Sequence, residues 1–274
     1  MDSRRGTTST GRRTARRTGI LALLAALVAG CGGDDAGEDG ILFAGPPGEL
    51  LPHETDRRSR FLVHTRSGDE AISTILTTRV LNEGPDGVFI VEGTPDGGPP
   101  RRLRARETET QIRLEAVSVD GPDGMHWTDI DPAAVLVETP VVRGRALRTR
   151  FVRTLEVLAT IDGAPRARSI TFEGESVRTP RSRETISVSG MELSALAFDV
   201  RGESQTVHLT GHAGAPSDTA LRLDLRGTEH LVPGIGLVRE VLELTILAGE
   251  TRTRINLRTE RDLAEMAADS IGQF

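Results

Sequence analysis

Lysine and tyrosine are absent from this chain of 274 residues, and cysteine occurs only once. Without lysine the chain cannot form a Schiff base or carry the lysine-containing phosphate loop of many nucleotide-binding proteins. A single cysteine excludes an intrachain disulfide and a cysteine-based metal site. Aromatic residues amount to 3% of the chain, so we expect a core built from leucine, isoleucine, valine and alanine.

A run long enough to span a membrane as a helix is also missing. The most apolar stretch, residues 20–29, covers about 15 Å at ~1.5 Å per residue, which is half of a bilayer core. A positive segment followed by a short apolar segment is typical of an export signal that is removed. The positive segment here contains Arg4, Arg5, Arg12, Arg13, Arg16 and Arg17.

The apolar run ends in Val28, Ala29 and Gly30, followed directly by the lone Cys31. This order resembles the signal peptide and lipobox of bacterial lipoproteins. The resemblance implies that a diacylglyceryl group joins the Cys31 sulfur through a thioether, that residues 1–30 are cleaved, and that the new α-amine is acylated, for example by palmitate. Two or more acyl chains hold a protein stably on a membrane. We therefore predict a lipid-anchored protein of the bacterial cell envelope.

The residues around the cysteine bear on export and sorting. Gly32, rather than aspartate, follows Cys31, which by the sorting preference of enteric bacteria permits delivery to the periplasmic leaflet of the outer membrane. In a host without an outer membrane, the expected site is the outer face of the plasma membrane. Residues 16–21 resemble a twin-arginine motif, so the twin-arginine and general secretory routes both stay open. Residues 31–57, which begin Gly-rich and acidic, are predicted to form a flexible tether.

The mature chain is predicted to be strongly acidic. The precursor has a formal charge of −6, and residues 1–30 carry a net +5, so their removal leaves −11. An acidic surface argues against general nucleic-acid binding. The expected partners are the membrane, through the acyl groups, and either an envelope protein or a lipophilic ligand.

Apolar and polar residues alternate along most of the chain after residue 58. The alternation is clearest at residues 112–116, 221–226 and 254–258, and it predicts strands with one buried face, as in antiparallel sheets. Frequent Gly, Pro and Asp turns separate about 12 to 14 such segments. We predict an all-β, mainly antiparallel domain over residues 58–274, shaped as an extended curved sheet, a half-barrel or a sandwich.

Two parts of this predicted domain depart from the alternation. Residues 120–140 are weakly patterned and could divide the domain into two halves. Near the end, Thr259 can cap a helix that includes Leu263 and runs to residue 268. We therefore expect a short C-terminal helix packed on an edge or end of the sheet.

Pro233, Gly234 and Gly236 form the second distinctive segment, which predicts a Pro-Gly turn between two strands. Because a strand follows rather than a helix, the segment lacks the helix N-terminus of a phosphate loop. Residues 232–239 resemble a Pro-Gly-Val-Gly-Leu-Val motif that occurs late in the antiparallel sheet of uncharacterised bacterial envelope lipoproteins. The resemblance implies an extended, curved β-sheet on a lipid anchor, with no established activity.

The sequence carries no catalytic or metal-binding pattern. His208 and His212 would lie about 13 Å apart on one strand, too far to share a metal ion. The chain lacks a Gly-x-Ser-x-Gly elbow, and Trp127 is expected to be a buried packing residue. We therefore expect no enzyme activity, metal or cofactor. The leading hypothesis is a structural or interaction module, and the alternative is a carrier or sensor of a lipophilic ligand in the concave face of the sheet.

Overall fold

Fourteen strands, one short α-helix and one 3₁₀ turn occur in the residues that a computed structural model of the chain describes. These residues are 40–97, 100–121, 124–161, 164–210, 221–248 and 253–266. The strands are β1 Ile41–Phe43, β2 Arg58–Ser67, β3 Glu70–Glu83, β4 Val88–Pro95, β5 Arg101–Glu107, β6 Gln111–Gly121, β7 Gly124–Glu138, β8 Val141–Val142, β9 Leu147–Ile161, β10 Ala164–Val188, β11 Met191–Thr210, β12 Leu221–Val232, β13 Gly236–Ala248 and β14 Thr253–Met266. Helix α1 is Pro47–Leu50, and the 3₁₀ turn is Pro85–Gly87. No helix in these ranges has the length and hydropathy needed to cross a membrane.

The predicted lipobox residues Val28, Ala29 and Gly30 and the predicted lipidation site Cys31 lie outside the described residues.

Twelve of the strands form one antiparallel sheet, in the order β7-β6-β5-β4-β3-β2-β14-β13-β12-β11-β10-β9. Two six-stranded meanders therefore lie side by side, joined where β2 pairs with β14. The outermost strands, β7 and β9, approach each other, and the Arg150 guanidinium donates to the Asp131 carbonyl between them at 2.7 Å. The sheet is nearly closed, which confirms the prediction of an all-β curved sheet or half-barrel with 12 to 14 strands.

The chain passes from the first meander to the second through residues 139–146. Within this passage β8 pairs with β1 in a small separate sheet. Strand β7 continues to Glu138, so most of the weakly patterned stretch at 120–140 belongs to a strand, with an irregularity in its pairing between Asp129 and Ala134. The change between the two meanders follows that stretch, and all twelve strands remain in one sheet.

Residues 40–57 belong to the folded domain. Leu42, Phe43 and Leu50 are buried, and Leu50 has no exposed surface. They pack against residues of β4 to β7 and of β11 and β12, so α1 and β1 fill space between the two meanders. The tether predicted to run to residue 57 is therefore wrong for residues 40–57. The glycines and prolines of this segment favoured a flexible chain, but its few large apolar side chains bury enough surface to hold it in place.

The predicted C-terminal helix is wrong, because the described part of that segment is strand β14. This strand pairs with β13 along one side and with β2 along the other. Leu257, Thr259 and Leu263 are buried, as the alternation of a strand requires. Hydrogen bonds to two neighbouring strands outweigh the helix preference of residues 264–266, since local propensity is weak beside tertiary pairing.

The hairpin of β10 and β11 extends beyond the strand next to it. Strand β11 pairs with β12 only over Leu196–Ser204, although it pairs with β10 from Met191 onwards. At the hairpin tip, the Ser189 hydroxyl donates to the Leu263 carbonyl of β14 at 2.7 Å. The tip therefore reaches past β12 and β13, and an apolar cluster with members from β10 to β14 is buried there.

Candidate functional site

The Pro233 segment forms a tight turn between β12 and β13. The Ile235 N–H donates to the Val232 carbonyl at 3.0 Å, and Gly234 has a φ of +78°. Proline at the second position and a positive φ at the third match a type II turn, in which glycine is favoured at the third position. Gly236, at the start of β13, also has a positive φ of +95°. The turn geometry thus accounts for both glycines.

The turn is hydrogen-bonded to the N-terminal part of the domain. The Gly234 N–H donates to the Glu49 carbonyl of α1 at 2.6 Å, and the Arg57 guanidinium donates to the Gly234 carbonyl at 2.7 Å. A Cβ on Gly236 would lie 3.2 Å from the Cδ of Pro52. The close fit of these backbones explains why small residues stand at both positions, and it holds α1 against the second meander.

The side chains of His53 and Glu107 contact each other next to this turn. The His53 Nε2 lies 3.1 Å from Glu107 Oε2, and its Nδ1 lies 3.1 Å from the Leu51 carbonyl oxygen. The imidazole stacks on the Phe89 ring, with centroids 4.1 Å apart. The other Glu107 oxygen accepts the Gly48 N–H of α1 at 2.7 Å. Each polar atom of the pair therefore has a structural partner that fixes it in place.

A depression of about 590 Å³ with a mixed lining of prolines and carboxylates opens beside this pair. It is lined by Pro46, Gly48, Glu49, Pro52, His53, Glu54, Glu107, Pro233 and Gly234. The described residues contain no group of three or more His, Cys, Asp or Glu side chains that could hold a metal ion. The depression therefore offers carboxylate acceptors and proline surfaces to a partner, while its imidazole is already engaged by Glu107.

The apolar space between the two meanders is nearly filled. The cavity left there measures about 30 Å³, which is room for about one or two water molecules. Leu50 and Leu231 line it, together with Phe198, and the Arg178 guanidinium lies 5.4 Å over the Phe198 ring. Arg178 also donates to the largely buried Glu229. The protein's own side chains, including this ion pair, thus occupy the interior.

A second histidine, His230 on β12, is buried facing β10. Its Nε2 lies 3.6 Å from Glu184 Oε2, and its Nδ1 has no hydrogen-bond partner in the described structure. Burial lowers the pKa of His230, and the Glu184 carboxylate offsets this only in part. Partial burial would raise the pKa of Glu184, but hydrogen bonds from Ser182 and Arg181 outweigh it and the pKa is lowered. The pair therefore favours a neutral imidazole beside an ionised carboxylate.

The structure brings Pro233, Gly234 and Gly236 together at one turn, but it places Trp127 differently from the prediction. Trp127, expected to be buried, is 38% exposed on the edge strand β7, with the Arg104 guanidinium 5.6 Å from its ring centroid. Sequence reasoning missed the surroundings of the turn altogether. Helix α1 is four residues long, and His53 and Glu107 are far apart in the chain, so no local pattern could have signalled either.

Neither a known protein family nor a curated protein sequence matches the chain. Two solved structures do match it. One, designated an exported protein with a YmcC-like fold, from Bacteroides fragilis, is 11% identical, with a TM-score of 0.39 over 83% of this chain and 99% of that one. The other, designated a lipoprotein, from Parabacteroides distasonis, is 10% identical, with a TM-score of 0.39 over 84% and 100% of the two chains. At this level of similarity neither match assigns a function to this chain.

Proposed function

We propose that the protein is a lipid-anchored lipoprotein of the bacterial cell envelope and that its β domain is a non-enzymatic interaction module. The observation that carries this proposal is the order of Arg-rich segment, short apolar run, Val28-Ala29-Gly30 and lone cysteine. The described domain begins at Gly40, nine positions after Cys31. Nine residues extend at most about 32 Å, so the acylated protein works close to the membrane surface.

The state of the polar groups in the depression supports a binding role over a catalytic one. A general acid or base must be free to reach a substrate atom within hydrogen-bond distance. The His53 ring is stacked on Phe89 and contacts oxygens through both nitrogens, and Glu107 is bonded to α1. Glu49 and Glu54 also line the depression and remain able to contact a partner, although Glu54 already forms an exposed ion pair with Arg57 at 3.1 Å.

The alternative of a lipophilic carrier needs an apolar pocket of several hundred Å³, the usual size of a small-molecule site. In the part of the chain that the structure describes, the cavity between the two meanders measures about 30 Å³. The larger depression of about 590 Å³ is lined by three carboxylates, which an apolar ligand would deprive of hydrogen-bond partners. The small cavity and the charged lining favour the interaction module. Native mass spectrometry of the purified protein separates the two roles, because a near-stoichiometric lipid or other hydrophobic ligand would favour the carrier.

Membrane fractionation tests the anchor. Wild type is expected to sediment with membranes and to resist salt and carbonate extraction. Cys31→Ser, which has no thiol to acylate, should lose this behaviour, whereas the control Ala36→Ser should retain it. Identical partitioning of wild type and Cys31→Ser would contradict the proposal.

Gly32 bears on the final membrane in a Gram-negative host. We infer the periplasmic leaflet of the outer membrane, and Gly32→Asp is expected to shift the protein to the inner membrane on a density gradient. An unchanged distribution would remove this part of the proposal while leaving the anchor itself intact. Reproducible turnover of a cell-wall or lipid substrate by the purified protein would overturn the non-enzymatic role.

A further inference from the structure

Strand register places five arginines in one line across the sheet, from β9 to β2. Successive cross-strand partners along this line are Arg148, Val177, Arg201, Arg226, Glu243, Arg258 and Arg66. Directly registered side chains point to the same face of a sheet. All five arginines are exposed. They are called the arginine row below, and consist of Arg148, Arg201, Arg226, Arg258 and Arg66.

The row lies on the outer face of the sheet. At four positions of this line, the preceding residue in the sequence is a buried apolar residue, and all four belong to one core cluster. These buried residues are Val200, Leu225, Leu242 and Leu257. Because successive residues of a strand point to opposite faces, the apolar cluster lies inside and the row lies outside.

The row sets like charges directly opposite each other. Arg201 faces Arg226, and Arg258 faces Arg66, an arrangement that destabilises a pair of strands. Arg258 contacts Glu260 at 2.7 Å, but the other four members have no hydrogen-bond or ion-pair partner among the described residues. The sheet therefore holds a line of positive charge that an anion can neutralise.

Glu243 lies in the line itself and pairs with Arg258 at 3.8 Å, whereas two carboxylates beside Arg201 and Arg226 are engaged by an arginine outside the row. Glu203 and Asp224 lie two residues from Arg201 and Arg226 along the same strands. Arg222, outside the row, contacts Glu203 at 2.7 Å and Asp224 at 3.2 Å. Their negative charge is thus offset by Arg222, and Arg201 and Arg226 stay available.

The dimensions of the row fit a linear polyanion. Six strand spacings of about 4.8 Å separate Arg148 from Arg66, so the row is about 29 Å long. It runs across the strands, which is the direction in which the nearly closed sheet curves. A flat bilayer touches a convex surface along only part of such an arc, whereas a polymer chain can follow it. We propose that the arginine row binds a linear, phosphate-bearing polymer of the cell envelope.

The chemistry of the side chain favours phosphate as the recognised group. A guanidinium presents a planar fork of N–H donors that matches two oxygens of one phosphate. Binding through several such contacts displaces counterions and is steeply salt-dependent. The proposed site is formed by the described sheet alone. The proposal therefore does not depend on acylation at Cys31.

Binding of long-chain inorganic polyphosphate to the full-length chain in non-ionic detergent tests the proposal. End-labelled polyphosphate followed by fluorescence anisotropy is expected to bind saturably, with an affinity that falls as salt is raised. Triphosphate, which spans only part of the row, should compete far more weakly at equal phosphate concentration. Absence of saturable binding, or equal competition by triphosphate, would overturn the proposal.

Matched variants separate the row from net charge. The double variant Arg201→Gln/Arg226→Gln is expected to weaken binding about tenfold and to roughly halve the salt dependence. The control Arg113→Gln/Arg143→Gln removes the same charge from exposed positions outside the row and should change the affinity less than about twofold. Equal weakening of the two double variants would overturn a role for the row.

A variant that is expected to gain affinity provides a further test, because misfolding can explain a loss of binding but not a gain. Glu243 is the one acidic residue in the line, so Glu243→Gln should tighten polyphosphate binding. Weaker binding by this variant would count against the proposal.

A lipid competitor distinguishes the polymer from a bilayer as the occupant. Mixed micelles containing phosphatidylglycerol should not displace polyphosphate any better than phosphatidylcholine micelles at matched phosphate. Selective displacement by phosphatidylglycerol would overturn the polymer in favour of anionic lipid.

Discussion

Truncation of Leu50 to alanine tests whether residues 40–57 are an integral part of the domain. Leu50 is fully buried among residues from both meanders. Removing three carbons forfeits about 0.8 kcal/mol each, or about 2.4 kcal/mol. The site already adjoins about 30 Å³ of unfilled space, and the enlarged cavity adds to the loss. We expect the free energy of unfolding to fall by about 3 to 4 kcal/mol, within the usual range for a buried leucine.

Urea unfolding and thermal melting, both followed by circular dichroism, measure this loss. At roughly 2 °C per kcal/mol for a domain of this size, the Tm of Leu50→Ala should fall by at least about 6 °C. The matched control is Leu62→Ala, which removes the same atoms from a side chain that is 37% exposed and should cost less than about 1 kcal/mol. Equal losses in the two variants would refute the packing of α1 described above.

A Cβ on Gly227 would lie 2.0 Å from a backbone oxygen of β13, so Gly227→Ala should cost about 3 kcal/mol by urea unfolding. Gly93→Ala, where the nearest atom is 3.7 Å away, should be nearly neutral, and similar costs for both would count against the register. Glu107→Ala should cost about 2 to 3 kcal/mol because it leaves the helix N–H and the stacked imidazole unpaired, while Glu107→Gln should cost about 1 kcal/mol; the reverse order would disprove this role. Because the pKa of His230 lies below its usual value of 6.5, the unfolded chain binds more protons just below pH 6.5, and stability should fall as the pH drops through that window. His230→Gln should flatten this slope in urea titrations at several pH values, and an unchanged slope would assign it to other groups. Arg66→Gln relieves the like-charge opposition to Arg258, and its other cross-strand partner is Ala71, so it should raise stability by about 0.2 to 1 kcal/mol while weakening polyphosphate binding; a lower Tm would contradict this.

The alternation of apolar and polar residues was sufficient to predict the fold class. At residues 221–226, leucines alternate with charged side chains, and the structure buries Leu223 and Leu225 with their polar neighbours outside. The same rule applies to residues 256–258, where Leu257 is buried between two exposed polar residues. Such patterns need only the two-residue period of a strand, which is a local property of the chain.

The C-terminal segment shows where local patterns fail. Thr259 and the alanine-rich residues after it satisfy the local rules for a helix, yet β13 and β2 pair with both sides of β14. The prediction of a flexible tether for the residues before 58 was wrong for the opposite reason. Their composition is that of a linker, but Leu42, Phe43 and Leu50 find apolar neighbours on strands distant in sequence.

The candidate sites depend on register, which no single segment contains. The turn at Pro233 was predictable from its own residues. Its contact with α1 was not, because that contact joins residues about 180 positions apart in the sequence. The arginine row likewise follows only from six successive strand pairings, and bulges such as those in β10 and β12 shift the alignment. A shift of one residue in any strand would turn its arginine to the other face.

The mass of the N-terminal tryptic peptide is the most direct test of a lipid-anchored protein. The chain has no lysine, and the first arginine after Cys31 is Arg57, so complete digestion of the mature protein from membranes should yield residues 31–57 as one peptide. Acylation predicts that this peptide begins at Cys31 and carries a diacylglyceryl group on the sulfur. A peptide that begins elsewhere, or one that begins at an unmodified Cys31, would contradict the anchor.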